Sequence, residues 1–239
     1  MSEKGKPNVS LVIPVYNDRE ALEIAIPTSL NALATICEKY EIIIAEDAST
    51  DGSREYAARL ANENPYIRHM HRDTRGGRGS ALTLAAEQAL YDIYIYFDVD
   101  LATDISHLKD LIYAIEKGYD MATGSRLLPA STITRSGDRE MKSRGYNFLV
   151  RTMLRSKVYD HQCGFKAFNR QKLCDILPAV HDTHWFWDTE VLVLGQRAGY
   201  KVCEMPVRWN EGPGTTVKRS DIFAMGTSIF ELWWRCNGI

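Results

Sequence analysis

The stretch Ile93-Tyr94-Ile95-Tyr96-Phe97-Asp98-Val99-Asp100 decides how this sequence is interpreted. Its first five residues are apolar or aromatic without a break, which is typical of a buried strand in a parallel sheet. The strand runs directly into two aspartates. Two carboxylates at the end of one strand can contribute to a single cation site, and Mg²⁺ is usually held by one or two carboxylates together with phosphates. A bare Asp-x-Asp pair is also common as a solvated strand end, so the surrounding sequence has to decide.

Strand and helix patterns alternate through the first half of the chain. We predict strands at 9–15, 40–45, 67–71, 93–97 and 121–124, and helices at 20–40, 53–62, 80–90 and 105–117. Pro27 is expected to disturb the first helix. Strict alternation predicts an α/β fold, a mainly parallel sheet with helices on both faces.

Acidic residues follow three of these strands, at Asp18, at Glu46-Asp47, and at Asp98 and Asp100. Ligands of open α/β sheets bind at the carboxyl ends of the strands. We therefore expect the acidic residues to converge on one site.

The second half is less regular. An Arg-rich segment at 129–144 precedes a helix to about 156, a strand at 163–168, a helix from 170, a helix at 190–198 and a strand at 202–209. No repeat or linker separates a second domain, so residues 1–219 are predicted to form one domain. Residues 220–239 are predicted to form an amphipathic tail, which either lies at a membrane interface or is a helix that packs on the core or forms an oligomer.

Composition excludes several classes of protein. A formal charge of −2 argues against a broadly basic nucleic-acid binder, so no nucleic-acid partner is expected. The five cysteines have no metal-site or redox spacing and are interpreted as reduced thiols of a cytosolic protein. No apolar run reaches the roughly 20 residues that span a bilayer, and the polar N-terminus lacks a signal-peptide core. We therefore expect a cytoplasmic protein, soluble or peripheral to a membrane.

Seven short motifs occur in a fixed order. They are Pro14-Val15-Tyr16-Asn17-Asp18, Glu46-Asp47-Ala48-Ser49-Thr50-Asp51-Gly52, Arg75-Gly76-Gly77-Arg78-Gly79, Asp98-Val99-Asp100, Gly124-Ser125-Arg126, Gln162-Cys163-Gly164-Phe165-Lys166 and Trp187-Asp188-Thr189-Glu190. The first four resemble the donor half of family 2 glycosyltransferases, which have the GT-A (Rossmann-like) fold. The last three resemble polyprenyl-phosphate sugar synthases, and among them the dolichyl-phosphate glucosyltransferase branch. The resemblance covers about residues 8–218.

The resemblance implies a donor site that holds a nucleotide sugar. Its predicted members are Pro14, Tyr16, Asp18, Asp47, Arg75, Arg78, Asp98 and Lys218. Asp47 would accept a hydrogen bond from the base, unless it only caps the next helix, and Lys218 would close over the diphosphate. Asp98 and Asp100 would hold Mg²⁺ or Mn²⁺.

The resemblance places the acceptor phosphate on arginines. Arg126 and Arg144 match the family's phosphate-gripping residues, with Arg139 as the substitute, and a guanidinium suits bidentate bonds to phosphate. Asp188 matches a position often assigned as the catalytic base. Because a phosphate monoester is already ionised near neutral pH, Asp188 would instead position an arginine or the acceptor. The predicted catalytic residues are Asp100, Asp188, Arg126 and Arg144.

The implied reaction is inverting transfer of a sugar, from a UDP-glucose-type or GDP-mannose-type donor, to dolichyl or polyprenyl phosphate with a β-linked product. The acceptor implies contact with the cytosolic face of a membrane, through the tail or through an anchoring partner. Two alternatives stay open: a glycosyltransferase that acts on a saccharide or protein hydroxyl, and a non-catalytic nucleotide-sugar-binding protein. His161 and His184 are interpreted as structural.

Overall fold

The computed structural model describes residues 5–134, 137–210 and 219–238, and only the backbone of residues 138, 139 and 219–223. A seven-stranded sheet forms its centre in the order β3-β2-β1-β4-β7-β5-β8. Its strands are β1 (Asn8–Val15), β2 (Lys39–Asp47), β3 (Ile67–Arg72), β4 (Ile93–Phe97), β5 (Met121–Ser125), β7 (Phe165–Asn169) and β8 (Val202–Pro206). Two short strands, β6 (Thr132–Thr134) and β9 (Arg208–Asn210), form a separate parallel pair.

The sheet is mainly parallel, as predicted, with one exception. β7 runs antiparallel to both of its neighbours, β4 and β5. Because of its reversed direction, β7 begins at the edge of the sheet where the parallel strands end.

The predicted strand at 202–209 is wrong as a single element. It divides at Pro206, and the residues that follow pair with β6 instead of the main sheet. Pro206 is the last residue of β8, which is an edge strand and pairs only with β5, a position where the missing backbone N–H of proline is tolerated.

The helices are α1 (Arg19–Ile36), α2 (Ser53–Glu63), α3 (Arg78–Gln88), α4 (Leu108–Glu116), α5 (Gly137–Leu154), α6 (Arg170–Ile176), α7 (Trp187–Arg197) and α8 (Arg219–Asn237). The expected disturbance at Pro27 was wrong, because α1 continues through this residue to Ile36. The buried residues Leu22, Ile26 and Leu33 share one face of α1, so packing offsets the hydrogen bond that proline cannot make.

The helices cover both faces of the sheet. Side chains alternate along β1, so that Leu11 and Ile13 pack with α1, α2 and α4, whereas Val12 packs with α3, α6 and α7. This arrangement confirms the predicted α/β layers.

The C-terminal helix α8 packs against α5 and α7. Met225, Ile229 and Leu232 are buried in a third apolar cluster together with residues of those two helices. Arg235 adds an ion pair with Glu190 of α7, with 2.5 Å between its Nη1 and Oε1 of the glutamate. On the other side of α8, Phe230 and Trp234 are more than half exposed. In the part of the chain that the structure describes, no helix is long and apolar enough to cross a bilayer.

Candidate active site

The two aspartates after β4 lie at the carboxyl edge of the sheet, as predicted. The Asp98 backbone N–H donates to the Gly164 carbonyl at 3.0 Å, and its Oδ1 accepts from Nε and Nη2 of Arg78 at 3.0 and 2.7 Å. Asp100 is exposed, and its Oδ1 accepts the Ala102 N–H at 3.0 Å. Asp98 is therefore fixed in place, whereas Asp100 faces the solvent side of the site.

A narrow cleft opens beside these two carboxylates. Its lining consists of Phe97, Asp98, Asp100, Leu101, Ala102, Thr103, Gly164 and Trp209. Gly164 is required here because a β-carbon at this position would lie 1.8 Å from Oδ2 of Asp98. The start of β7 therefore leaves room for the metal-ligand candidate at the end of β4.

Three of the acidic residues at this edge, Asp18, Asp98 and Asp100, are close enough to interact electrostatically, whereas Glu46 lies in a separate group with His69 and His71. Partial loss of hydration in the cleft raises the pKa of Asp100 although its side chain still reaches solvent, and the carboxylates of Asp98 and Asp18 raise it further. A bound divalent cation would relieve this repulsion, and the hard oxygens suit Mg²⁺ or Mn²⁺. Among the described residues, Asp98 and Asp100 belong to no cluster of three closely spaced ligating side chains. The residues fit a cation that takes its other ligands from a diphosphate and water.

Behind Asp98 lies a buried charge network, which we call the Asp188 network and which consists of Arg78, Tyr96, Asp98, Lys166 and Asp188. Oδ2 of Asp188 is 2.5 Å from Nη1 of Arg78. Its Oδ1 accepts from Nζ of Lys166 at 2.8 Å and from the Tyr96 hydroxyl. The Lys166 side chain is fully buried, and the Asp188 side chain is 4% exposed.

The network has a clear electrostatic consequence. Burial alone would raise the pKa of Asp188, but Arg78 and Lys166 outweigh it, so the pKa lies below its ordinary value. Burial would lower the pKa of Arg78, but Asp188 and Asp98 raise it well above its ordinary value. Asp188 is thus an ionised anchor for Arg78, and Arg78 in turn holds Asp98.

The glycine loop before α3 is held by Asp47. Its two carboxylate oxygens accept the backbone N–H groups of Gly76 at 2.8 Å and Gly77 at 2.7 Å. Gly77 has φ +96°, which favours glycine. In this arrangement the buried Asp47 positions the loop, and Asp51, not Asp47, accepts the Ser53 N–H at the start of α2.

The first-strand turn contributes the other predicted donor residues. Pro14 pairs with Ala45 near the end of β1, and Asp18 directly precedes α1. Tyr16 is 38% exposed, and the Arg75 guanidinium carbon lies 3.8 Å from the centre of its ring. Arg75 thus presents a cation at the surface of the loop, unlike the inward-facing Arg78.

The turns after β1 and β2 are linked directly. Asn17 donates its backbone N–H to Oγ of Ser49 at 3.1 Å, and its Oδ1 accepts the Thr50 N–H at 2.7 Å. These two hydrogen bonds hold the turns after β1 and β2 together at the carboxyl ends of their strands.

The predicted acceptor arginines differ in their surroundings. Arg126 follows β5, and its Nε and Nη2 donate to Asp160 at 2.7 and 2.9 Å. Its guanidinium lies 5.6 Å from the ring centre of Trp209, which lines the acidic cleft. Arg126 therefore borders the cleft in a fixed orientation.

Arg144 lies on α5, is exposed, and pairs with Glu140 one turn earlier at 2.7 Å. The described residues show no contact between Arg144 and Arg126. Only the backbone of Arg139 is described, and Lys218 lies outside the described residues.

His161 is structural, as predicted. Its Nδ1 lies 2.7 Å from Oδ1 of Asn147 and its Nε2 lies 2.7 Å from Oγ of Ser156. Burial lowers the pKa of His161 to about 3, so the ring is neutral. His184 is exposed and belongs to no cluster of metal-ligating side chains among the described residues.

Lys166, Tyr96 and Asp160 belong to the site but were not predicted from the sequence. Lys166 carried a signal, because a lysine within the apolar strand Phe165-Lys166-Ala167-Phe168 has to find a buried partner. Tyr96 and Asp160 carried none, since an aromatic residue in a strand and an acid in a loop are both ordinary. His69 and His71, which lie next to Glu46 on β2 and β3, were not predicted as site residues either.

Residues 10–177 match the sequence model of Glycosyl transferase family 2. The chain is 46% identical over 231 residues to Glycosyltransferase AglD of Haloferax volcanii, covering 95% of this chain but only 37% of the length of that relative. It is 31% identical over 234 residues to Dolichyl-phosphate beta-glucosyltransferase ALG5A of Trichomonas vaginalis, covering 94% of this chain and 72% of the relative. These findings confirm the resemblance to the family and to the dolichyl-phosphate glucosyltransferase group.

Solved structures share the fold. Glucosyl-3-phosphoglycerate synthase from Mycobacterium tuberculosis, in complex with Mn²⁺, UDP and glucosyl-3-phosphoglycerate, superposes with a TM-score of 0.68 at 16% identity. The match covers 98% of this chain and 81% of that chain. The predicted GT-A fold is confirmed.

Proposed function

The chain belongs to glycosyl transferase family 2, and from that premise we propose that it transfers a hexose from a nucleotide sugar to a polyprenyl or dolichyl phosphate. The observation that carries the proposal is the cleft where Asp98 and Asp100 lie next to Trp209 and Arg126. A site for a diphosphate-bound cation and a fixed arginine for a second phosphate thus share one cleft. The names of the relatives that act on dolichyl phosphate support the same acceptor.

We assign the donor site to the first-strand turn and the glycine loop. Pro14, Tyr16, Asp18 and Asp47 would surround the nucleoside, and Arg75 would meet the phosphates. A cation held by Asp98 and Asp100 would neutralise the charge that develops on the leaving diphosphate. Lys218 remains a proposed diphosphate contact.

The chemical step would be a single displacement. An oxygen of the lipid phosphate forms the new bond to the anomeric carbon, while the bond to the nucleoside diphosphate breaks and its electron pair leaves with the diphosphate. Attack from the opposite face gives inversion, hence a β-linked product from an α-linked donor. Because the nucleophile is already an anion, no proton has to be removed and catalysis is mainly positioning and electrostatic stabilisation.

Asp188 fits this step as a positioning residue. Both of its oxygens are occupied by Arg78, Lys166 and Tyr96, and its side chain is buried, so it lacks access to an acceptor hydroxyl. This observation favours a phosphate acceptor over the alternative hydroxyl acceptor, which needs a general base. Arg126 would hold the acceptor phosphate, with Arg144 and Arg139 as further contacts from α5.

A lipid acceptor requires contact with a membrane surface, which we propose to be the cytosolic face. The exposed Phe230, Trp233 and Trp234 of α8 provide an apolar face for that contact, alone or with an anchoring partner. In this proposal residues 1–219 carry the chemistry, and residues 220–239 form an amphipathic tail with one face on the body and the other towards lipid.

The test is transfer from a panel of UDP- and GDP-sugars to short-chain polyprenyl phosphate with Mg²⁺. A lipid-linked sugar that disappears in Asp100→Asn and in Arg126→Gln, but persists in Lys117→Gln, supports the proposal. Lys117 is an exposed cation at the opposite edge of the sheet, after α4. Donor hydrolysis without lipid product across the panel would overturn the acceptor assignment and leave the fold intact.

A further inference from the structure

A second group of potential metal ligands lies at the β3 edge of the sheet. Glu46 of β2 pairs with His71 of β3 across the ladder, and His69, two residues earlier, projects to the same face. One ligating atom from each of the three residues lies within 4.8 Å of the others. None of them belongs to the cleft at Asp98 and Asp100.

One atom of this group lacks a partner. Nε2 of His69 is buried and makes no hydrogen bond to any described residue. The nearest acceptor in the group, Oε2 of Glu46, is 3.8 Å away, which is too long for a hydrogen bond. Buried nitrogens without a partner are uncommon, so Nε2 of His69 is available to bind a ligand.

The other two residues are oriented by a second layer of contacts. His71 directs Nδ1 to Oε2 of Glu46 at 2.5 Å, and its Nε2 lies 3.1 Å from Oδ1 of Asp73. Oε1 of Glu46 accepts the backbone N–H of Ser49. A histidine that binds metal through one nitrogen normally donates its other ring N–H to a carboxylate or carbonyl, which is the arrangement of His71.

We propose that Glu46, His69 and His71 form a site for a divalent transition metal, with Zn²⁺ as the preferred ion. Two imidazoles and one carboxylate suit zinc, whereas Mg²⁺ prefers oxygen ligands alone. Tetrahedral zinc ligands at bonds of about 2.0–2.1 Å are about 3.3 Å apart. His71 and Glu46 would separate by about 0.8 Å and His69 would approach by about 0.5 Å, shifts within reach of side-chain rotation.

A metal bound at this site would affect the first-strand turn of the proposed donor site. Glu46 holds the Ser49 N–H, and Oγ of Ser49 holds the Asn17 N–H, so the ligand Glu46 is two hydrogen bonds from the first-strand turn. Fixing Glu46 on a metal would fix the turn that we assign to the nucleoside. The inference concerns binding of the metal itself and does not depend on the proposed transfer reaction.

The experiment is titration of the EDTA-treated full chain with Co²⁺, followed by visible absorption, and then displacement by Zn²⁺. We expect one equivalent of Co²⁺ with ligand-field bands in wild type and in Asp100→Asn, which disables the other cation site. The bands should be lost in His69→Gln and in His71→Gln. His181→Gln, which removes an exposed histidine elsewhere, should bind like wild type.

A second measurement uses the wild-type protein alone. Zn²⁺ at a hundredfold excess over its Kd should raise the Tm by about 5–10 °C for a domain of this size. The absence of stoichiometric Co²⁺ binding in wild type would overturn the proposal, whatever the fate of the variants. Binding that persists in both histidine variants would overturn it as well.

Discussion

Replacement of Asp188 by asparagine tests the buried charge network most directly. Asparagine keeps the shape of the side chain and removes its charge. In wild type the cations Arg78 and Lys166 are balanced by the carboxylates of Asp98 and Asp188. In Asp188→Asn the two cations Arg78 and Lys166 share only the Asp98 carboxylate, and the fully buried Lys166 side chain loses its charged partner.

The magnitude follows from the burial of the pair. Removal of one partner of a buried ion pair costs about 3–5 kcal/mol, because the other charge is left in a medium of low polarity. The asparagine oxygen can still accept one hydrogen bond, so we expect the lower end of that range, about 3 kcal/mol. For a domain of this size that corresponds to a Tm lower by roughly 6–12 °C.

The assay is urea unfolding of wild type, Asp188→Asn, Lys166→Met and the double variant. The double variant removes the uncompensated charge, so its free energy of unfolding should be higher than the sum of the two single effects predicts. A loss below about 1 kcal/mol in Asp188→Asn, or additive effects in the double variant, would refute the account of the network.

The same variants separate a positioning role from a catalytic base. If Asp188 positions Arg78, Asp188→Asn lowers kcat while the pH–rate profile keeps both limbs. Disappearance of the acidic limb, with stability unchanged, would instead make Asp188 the base and would favour a hydroxyl acceptor.

Three further predictions concern other parts of the molecule. Gly164→Ala should lower kcat/KM by about a hundredfold, measured by transfer, because the added methyl group displaces the Asp98 carboxylate; unchanged kinetics would contradict the role of this glycine. Burial lowers the pKa of His161 to about 3, so between about pH 6.5 and 3 only the unfolded chain binds a proton at this residue. The free energy of unfolding should therefore fall by up to about 1.4 kcal/mol per pH unit as the pH drops through this range. The urea midpoint should depend on pH less in His161→Gln, and equal slopes in the two proteins would argue against this assignment. Ile229→Ala should cost about 2–5 kcal/mol in urea unfolding, whereas Trp234→Ala should leave stability unchanged and reduce co-sedimentation with anionic vesicles; a stable Ile229→Ala would contradict the packing of α8.

Periodicity and strand-end chemistry predicted most of the fold. The runs before Asp18, Asp47 and Asp98 are apolar and end in acids, and this local signal locates both the strands and the edge that carries the site. The antiparallel direction of β7 has no such signal, because the residue pattern of a five-residue strand is compatible with either direction in the sheet. Its direction depends on the neighbours that the rest of the chain supplies.

The site was predicted less completely for a related reason. Arg78 was identified from its place next to the glycine loop, but its inward direction depends on Asp188, which lies 110 residues further along the chain. Local pattern does not contain such a pairing. The motif that includes Lys166 was recognised, yet its role appears only when the lysine is found beside Asp188.

The reversed strand β7 also sets the order in which the molecule can be completed during synthesis. β4 obtains its second neighbour only after residues 165–169 have been made, and Arg78 meets Asp188 only after 110 further residues. At about 5–20 residues per second, Arg78 lacks its anchor for roughly 5–20 s after it has been made. The contact between Arg78 and Asp188 therefore cannot form until residue 188 has been made, long after β1 to β4 are complete. A fragment that ends before residue 188 should therefore leave Arg78 without its carboxylate anchor and should bind a nucleotide sugar more weakly than the full chain.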